Sequence, residues 1–200
     1  MRVVLDWDGT VTEVDTLHLV LERFGDASVF EAMEAELRGR LTLHEVIRRE
    51  FETVSAPLEE VVAFLLAEAH VRPGFRELVA ERRPLVVSSG FHELIEPLLA
   101  REGIEVELQA NRVTPGPEGW RPVYYDTSVC TVCGEPCKRR SLPAGSIAYV
   151  GDGYSDRCAA RAADRVFARD ALAVWLTEQG VAYEPFEDLH DVRTALAAAR

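Results

Sequence analysis

The chain has 200 residues, 48% of them hydrophobic and 28% charged, with a formal net charge of −12; this is the make-up of one sizeable globular domain, or of a core with a modest insertion. That acidity argues against nucleic acid as the main partner, and no apolar run approaches the roughly 18 residues of a membrane span. Met1 to Leu5 runs straight into acidic residues with no signal-peptide pattern, so a cytoplasmic location is expected.

Arg2 to Leu5 reads as a buried strand that delivers Asp6 at its C-terminal end. Residues 13–70 read as helical. Leu17, Val20, Leu21 and Phe24 recur at helical spacing, and Val29, Phe30, Met33 and Leu37 continue on a second helix. Thr42-x-x-Glu45 has the form of a capping box ahead of Val46, Ile47 and Phe51. Pro57 suits the first position of a helix carrying Leu58, Val61, Val62 and Leu65.

From Arg72-Pro73-Gly74 the pattern alternates. A helix over 75–82 precedes a strand at Leu85-Val86-Val87, which leads into Ser88-Ser89-Gly90 and a helix bearing Leu94, Ile95, Leu98 and Leu99. Val106 to Leu108 reads as a strand, and the Pro- and Gly-rich 113–126 as a hairpin or flap. Ile147 to Val150 is a strand ending at Gly151-Asp152-Gly153. A helix at 155–163, a short strand at Val166-Phe167 and helices near 170–179 and 187–199 close the chain. Strands alternating with helices predict a Rossmann-like α/β fold: a parallel sheet flanked by helices. The helical stretch after the first strand is a small bundle inserted into it. The expected domains are a core of 1–12 with 71–200 and a helical cap of 13–70.

Ligands of such sheets bind beyond the carboxyl ends of the strands. Three strands end in polar residues there: Asp6/Asp8, Ser88 and Asp152. Asp6 as a nucleophile would split a displacement at phosphorus into two steps, and Asp8 would give and later take a proton. A carboxylate approaching a phosphate needs a cation between them, and Mg²⁺ with oxygen ligands supplies it. Asp152 offers a further ligand, and Asp156 could hold a metal-bound water or orient a lysine. Of the 22 basic residues only Lys138 is lysine; it fits as a point charge between nucleophile and phosphoryl group. Ser88 and the backbone N–H groups that follow it can cradle phosphate oxygens. The less specific alternatives are a polar turn for Asp6 to Thr10, an N-cap serine and a solvated lysine; four motifs in order outweigh them together.

Asp6-Trp7-Asp8-Gly9-Thr10, Ser88, Lys138 and Gly151-Asp152-Gly153-x-x-Asp156 resemble the four motifs of the haloacid dehalogenase-like (HAD) phosphatase superfamily, and the helical insertion resembles the cap of its phosphoserine phosphatase-like branch. The resemblance implies a Mg²⁺-dependent phosphomonoesterase working through an aspartyl-phosphate. Asp6 would be the nucleophile and Asp8 the general acid and base. Ser88, Ser89 and Lys138 would lie on phosphate, and Mg²⁺ on Asp6, the Asp8 carbonyl and Asp152. A small phosphorylated metabolite is the expected partner. Phosphoryl transfer to an acceptor other than water is the alternative chemistry.

The run Cys130-x-x-Cys133-x-x-x-Cys137-Lys138 is similar to one in two groups of that family. One is the methionine-salvage group acting on 2-hydroxy-3-keto-5-methylthiopentenyl-1-phosphate; the other acts on phosphoethanolamine or phosphocholine. Asp15 also resembles the methionine-salvage group, as a cap contact to substrate. Aligning Gly39-Arg40-Leu41 with phosphoserine phosphatase caps puts Glu50 where an arginine would grip the serine carboxylate, which counts against phosphoserine; Arg48 or Arg49 would have to substitute. Cys130, Cys133, Cys137 and Cys158 read first as reduced, partly buried thiols. A structural zinc is the alternative, because the spacing lacks a second ligand pair. Trp120 to Tyr125 reads as core packing ahead of a substrate lid.

Overall fold

A computed structural model describes residues 1–36 and 41–198. Leu37, Gly39 and Arg40 lie outside the described residues. Seven strands form one sheet: β1 (Arg2–Leu5), β2 (Leu85–Phe91), β3 (Glu107–Thr114), β4 (Arg121–Val123), β5 (Ile147–Gly151), β6 (Arg165–Ala168) and β7 (Glu184–Pro185). Their order is β4-β3-β2-β1-β5-β6-β7. All neighbours are parallel except β3 and β4, which form an antiparallel hairpin. The chain builds outward from β1 through β2 and β3, then crosses to β5 on the other side. This makes β1 and β5 the topological switch point, where a ligand crevice opens. Composition explains the central place of β1 and β5, since seven of their nine residues are apolar and all but Arg2 are buried.

Helices α5 (Phe75–Arg82), α6 (His92–Glu102), α7 (Arg157–Ala160), α8 (Asp170–Glu178) and α9 (Leu189–Ala198) cover the sheet. Between β1 and α5 run α1 (Thr16–Phe24), α2 (Ala27–Glu36), α3 (Leu43–Phe51) and α4 (Leu58–Glu68). The chain leaves the sheet and returns at one neck: Thr12 and Val71 form an antiparallel bridge, and Glu13 N–H donates to the His70 carbonyl at 3.0 Å. The inserted helices share their apolar cluster with the sheet. Leu21, Phe51, Val61 and Leu65 bury into the same core as Leu5, Trp7, Phe91 and Leu94, and Phe51 meets Phe91 edge-to-face at 4.8 Å. Burying one such side chain is worth about 1.5–3 kcal/mol, so this contact anchors α3 to β2.

The capping box at Thr42 and Glu45 is formed. Pro57 stands one position earlier than expected, as the N-cap of α4. Trp120 packs: it is fully buried and its indole N–H donates to the Ala56 carbonyl at 2.9 Å. Three elements depart from the sequence reading. β2 continues through Ser88-Ser89-Gly90 to Phe91, with a register shift against β3; Ser88 Oγ accepts from Gly90 N–H at 2.8 Å, and buried Phe91 draws the strand inward. Helix α6 therefore starts three residues beyond the serines, and Ser88 is not its N-cap. The helix expected over 155–163 shrinks to a 3₁₀ turn (Tyr154–Asp156) and α7, because the Asp156 carboxylate is tied back to the backbone N–H groups of Asp152 and Gly153 at 3.0 Å each. The edge strand β7 is too short for period-2 patterning to reveal. Among the described residues, no helix is long and apolar enough to cross a membrane.

Candidate active site

β1 ends at Leu5, and the next residues turn away from the sheet at its carboxyl edge. The turn requires Gly9: its φ is +72°, and a Cβ there would meet Asp152 Oδ2 at 2.3 Å. Thr10 Oγ donates to Asp152 Oδ1 at 2.7 Å, pinning the β5 loop to the β1 loop. Beneath them the buried guanidinium of Arg72 donates to the carbonyls of Gly9 (2.9 Å), Thr10 (3.0 Å) and Thr12 (3.2 Å). One side chain thus satisfies three carbonyls that the turn leaves without sheet partners.

Asp6 is buried, and Lys138 Nζ lies 2.6 Å from its Oδ1 and 2.8 Å from Asp156 Oδ1. Lys138 opens a 3₁₀ turn (Lys138–Ser141) and is itself buried. Tyr149 hydroxyl donates to the same Asp156 oxygen at 2.7 Å. All the Asp156 contacts named so far come from donors. Although Asp6, Asp152 and Asp156 oxygens lie within 4.8 Å of one another, Asp156 is therefore committed to Lys138, Tyr149 and two amides. Of its two expected roles, the geometry favours orienting the lysine. Asp8 Oδ1 accepts from the Thr16 N–H at 3.1 Å and from the Thr16 hydroxyl, at the first turn of α1. Its Oδ2 accepts from Ser88 Oγ at 3.2 Å.

The electrostatics are those of four carboxylates around one ammonium. Burial, then the neighbouring Asp156, pushes Asp6 well above the ordinary carboxylate range against the pull of Lys138. Burial lifts Asp8 to about 6, and burial with Asp156 lifts Asp152 to about 7. Asp156 is lowered: burial opposes its charge, but Lys138 and its hydrogen bonds outweigh that. Burial, and then mutual repulsion, make the carboxylates at the mouth resist ionising together. Asp6, Asp152 and a backbone carbonyl offer the hard oxygen donors that Mg²⁺ prefers, and a divalent ion would relieve the repulsion.

Asp6, Asp8, Lys138 and Asp152 line a cavity of about 440 Å³ that also takes in Ser89, Asp15 and residues of the inserted helices. Its helical wall is apolar at Leu17, Leu21, Val46 and Ile47, and carries the buried Glu50. Arg48 and Arg49 do not reach it: both are exposed, and Arg48 pairs with Glu52 at 3.1 Å. Asp15 lines the cavity while serving as N-cap of α1, accepting from His18 N–H at 3.0 Å. A neighbouring space of about 290 Å³ shares Lys138, Ser89 and Tyr154 and opens on the cysteine side.

The structure thus gathers Asp6, Asp8, Ser88, Ser89, Lys138, Asp152 and Asp156 at one sheet edge, with Asp15 at the rim. Cys130, Cys133, Cys137 and Cys158 form a second group beyond Lys138, all four sulfurs within 4.8 Å of one another. Thr10, Thr16, Arg72 and Tyr149 are parts of the site that sequence reasoning missed. Only Thr10 carried a signal, as the fifth residue of the first motif.

The haloacid dehalogenase-like hydrolase family matches residues 3–161. The chain is 29% identical over 210 residues to the 2-hydroxy-3-keto-5-methylthiopentenyl-1-phosphate phosphatase of Bacillus cereus strain AH820, covering 98% of this chain and 95% of that one. The same figures hold for the protein of that name from Bacillus thuringiensis strain Al Hakam. Among solved structures, a phospho-aspartyl intermediate analogue of phosphoserine phosphatase superposes with a TM-score of 0.73 at 17% identity, over 97% of both chains. Phosphoserine phosphatase from T. onnurineus gives 0.67 at 18%, over 96% of this chain and 91% of that one; at such identities the likeness is one of fold.

Proposed function

The chain belongs to the haloacid dehalogenase-like hydrolases, and we propose that it is a phosphatase that hydrolyses the phosphate monoester of a small metabolite with Asp6 as nucleophile. The observation that carries this reading is the Lys138 ammonium held 2.6 Å from Asp6 in a buried ion pair. Lys138 opposes the burial that disfavours the Asp6 carboxylate, and Asp6 lines the cavity.

Asp6 attacks phosphorus and the bond to the ester oxygen breaks, while Asp8 gives its proton to the departing alkoxide. An acid lifted to about 6 can hold that proton near neutrality. The product is an aspartyl-phosphate on Asp6. Asp8, now a carboxylate, takes a proton from water; the oxygen attacks phosphorus and the bond to Asp6 breaks. Thr16 and Ser88 fix the Asp8 carboxyl between these two roles. Ser88 and Ser89 bind phosphate oxygens, and Lys138 holds charge that grows on the phosphoryl group. Asp6, Asp152 and the Asp8 carbonyl would hold Mg²⁺, which would supply the positive charge that lets a carboxylate meet a phosphate. The neck at Thr12 and Val71 supports reading 13–70 as a cap over the site.

For the substrate, the apolar wall of Leu17, Leu21, Val46 and Ile47 suits an uncharged thioether tail, and the family likeness to the methylthiopentenyl-phosphate enzymes points the same way. The outward Arg48 and Arg49 leave α3 with no cation for a serine carboxylate. Glu50 favours a second reading, in which its carboxylate receives the ammonium of phosphoethanolamine or phosphocholine. A phosphate-release screen over these esters and phosphoserine tests both readings. We expect kcat/KM highest on the methylthio ester and roughly 100-fold lower on phosphoserine. Phosphoserine as the best substrate contradicts the assignment of the wall, and phosphocholine activity that disappears in Glu50→Gln establishes the second reading.

A further inference from the structure

Cys130, Cys133, Cys137 and Cys158 are absent from the chemistry above. The first three lie on the loop that ends in Lys138; the fourth lies on α7, two residues beyond Asp156. None forms a disulfide. Yet the four sulfurs all lie within 4.8 Å of one another, with Cys130 and Cys158 4.0 Å apart. A disulfide bond needs about 2.05 Å. Four thiolates at about 2.3 Å from a tetrahedral zinc stand about 3.8 Å apart, so the sulfurs are spaced for a shared metal.

The backbone around them is shaped for one. Cys130 to Gly134 forms a tight turn: Gly134 N–H donates to the Cys130 carbonyl at 2.9 Å, and Gly134 has φ +83°. The Val132 N–H points at Cys130 Sγ, 3.4 Å away. An amide aimed at sulfur favours the thiolate that a metal would bind. The loop has little apolar burial of its own, with Val129 and Val132 left 61% and 55% exposed. A segment without a core needs another anchor.

We propose that Cys130, Cys133, Cys137 and Cys158 bind one structural zinc ion in a closed tetrahedral site that fixes the Lys138 loop to α7. Each thiol still protonated loses its proton on binding, and no oxidation is involved. The ion sits at neither end of the reaction. Cys137 precedes Lys138, and Cys158 follows Asp156 by two, so the zinc clamps both partners of the Lys138–Asp156 pair from behind. Its role is structural: the ammonium itself is held by Asp6 and Asp156.

The test is metal analysis of the protein purified without chelators, with cobalt substitution of the same sample. We expect about one zinc per chain. The cobalt form should show sulfur-to-cobalt charge transfer and intense tetrahedral ligand-field bands, and the four thiols should react with a thiol reagent only after a chelator has stripped the metal from the unfolded protein. Cys130→Ser should lose the zinc. If that variant does not fold, the cobalt spectrum of the unaltered chain still decides. Four freely reactive thiols, a Cys130–Cys158 disulfide by mass, a cobalt spectrum without sulfur bands, or zinc kept in full by a folded Cys130→Ser would each overturn the proposal. None of these readouts depends on phosphatase activity.

Discussion

Two clusters of metal-ligating side chains flank Lys138, and they are built for opposite purposes. On one side Asp6, Asp8 and Asp152 open onto a cavity of about 440 Å³. On the other, four sulfurs close on one another within 4.8 Å. The oxygen cluster is open to ligand, as a site must be if it is to hold a hard ion and a phosphate at once. The sulfur cluster offers four soft donors and no open position, the pattern of a site that holds structure together. Lys138 belongs to both: its ammonium faces the carboxylates, and its backbone is next to a cysteine. Chemistry and architecture are therefore separable in this molecule on either side of one residue.

Substitutions that separate the two sides test that division. Asp6→Asn should lower turnover by roughly 10⁴-fold or more. Because it removes one of several crowded carboxylates, its melting temperature should stay level or rise; a loss of activity through unfolding, read by circular dichroism, would go against the division. Lys138→Met should damage both sides. We expect turnover to fall by about 10³-fold and stability by about 3–5 kcal/mol in urea unfolding, since Asp6 and Asp156 stay buried without a cation. A Lys138→Met protein of unchanged stability would mean that the pair is not sequestered from water. Ser88→Ala should cost about 10- to 100-fold in kcat/KM with little change in stability, because Ser88 touches Asp8 and Gly90 alone among the contacts described.

Removing the soft metal should do the reverse. Under the zinc proposal, stripping it should lower the melting temperature by roughly 5–10 °C while leaving the pH profile of kcat unmoved. The smallest effect lies outside both clusters, at His44, stacked on Tyr124 at 3.8 Å. Burial lowers the His44 pKa, opposed by Asp126. The unfolded chain therefore binds the proton more readily, and stability falls as pH drops below about 6.5. His44→Phe keeps a stacked ring and should flatten that fall in melting temperature between pH 7 and 5; equal slopes in both proteins would count against the assignment.

Much of this arrangement is legible in the order of the residues alone. The strand ending in Asp6-Trp7-Asp8-Gly9-Thr10 can be read because a parallel strand is a continuous apolar run and its carboxyl end is where ligands bind. Lys138 stands out as a lone lysine among arginines. What escapes the sequence is whatever depends on distant chain meeting. Arg72 opens an ordinary Arg-Pro-Gly turn, and its role appears only when the β1 loop folds over it. Thr16 and Tyr149 sit in helical and strand periodicities that explain them fully as packing residues. Cys158 lies 21 residues beyond Cys137, and only the β5–α7 connection carries it back to complete the group of four. The extension of β2 through the serines is hidden because Ser-Ser-Gly is turn-forming in isolation, and buried Phe91 overrides that preference.

The central claim is that Asp6 carries the phosphoryl group between substrate and water, and acid-quenched turnover tests it most directly. Protein mixed with Mg²⁺ and radiolabelled phosphoester, stopped within one turnover and digested, should yield label on the peptide containing Asp6 as an acyl phosphate sensitive to hydroxylamine. Label on another residue, or full phosphate release with no labelled peptide at any time, would contradict the account.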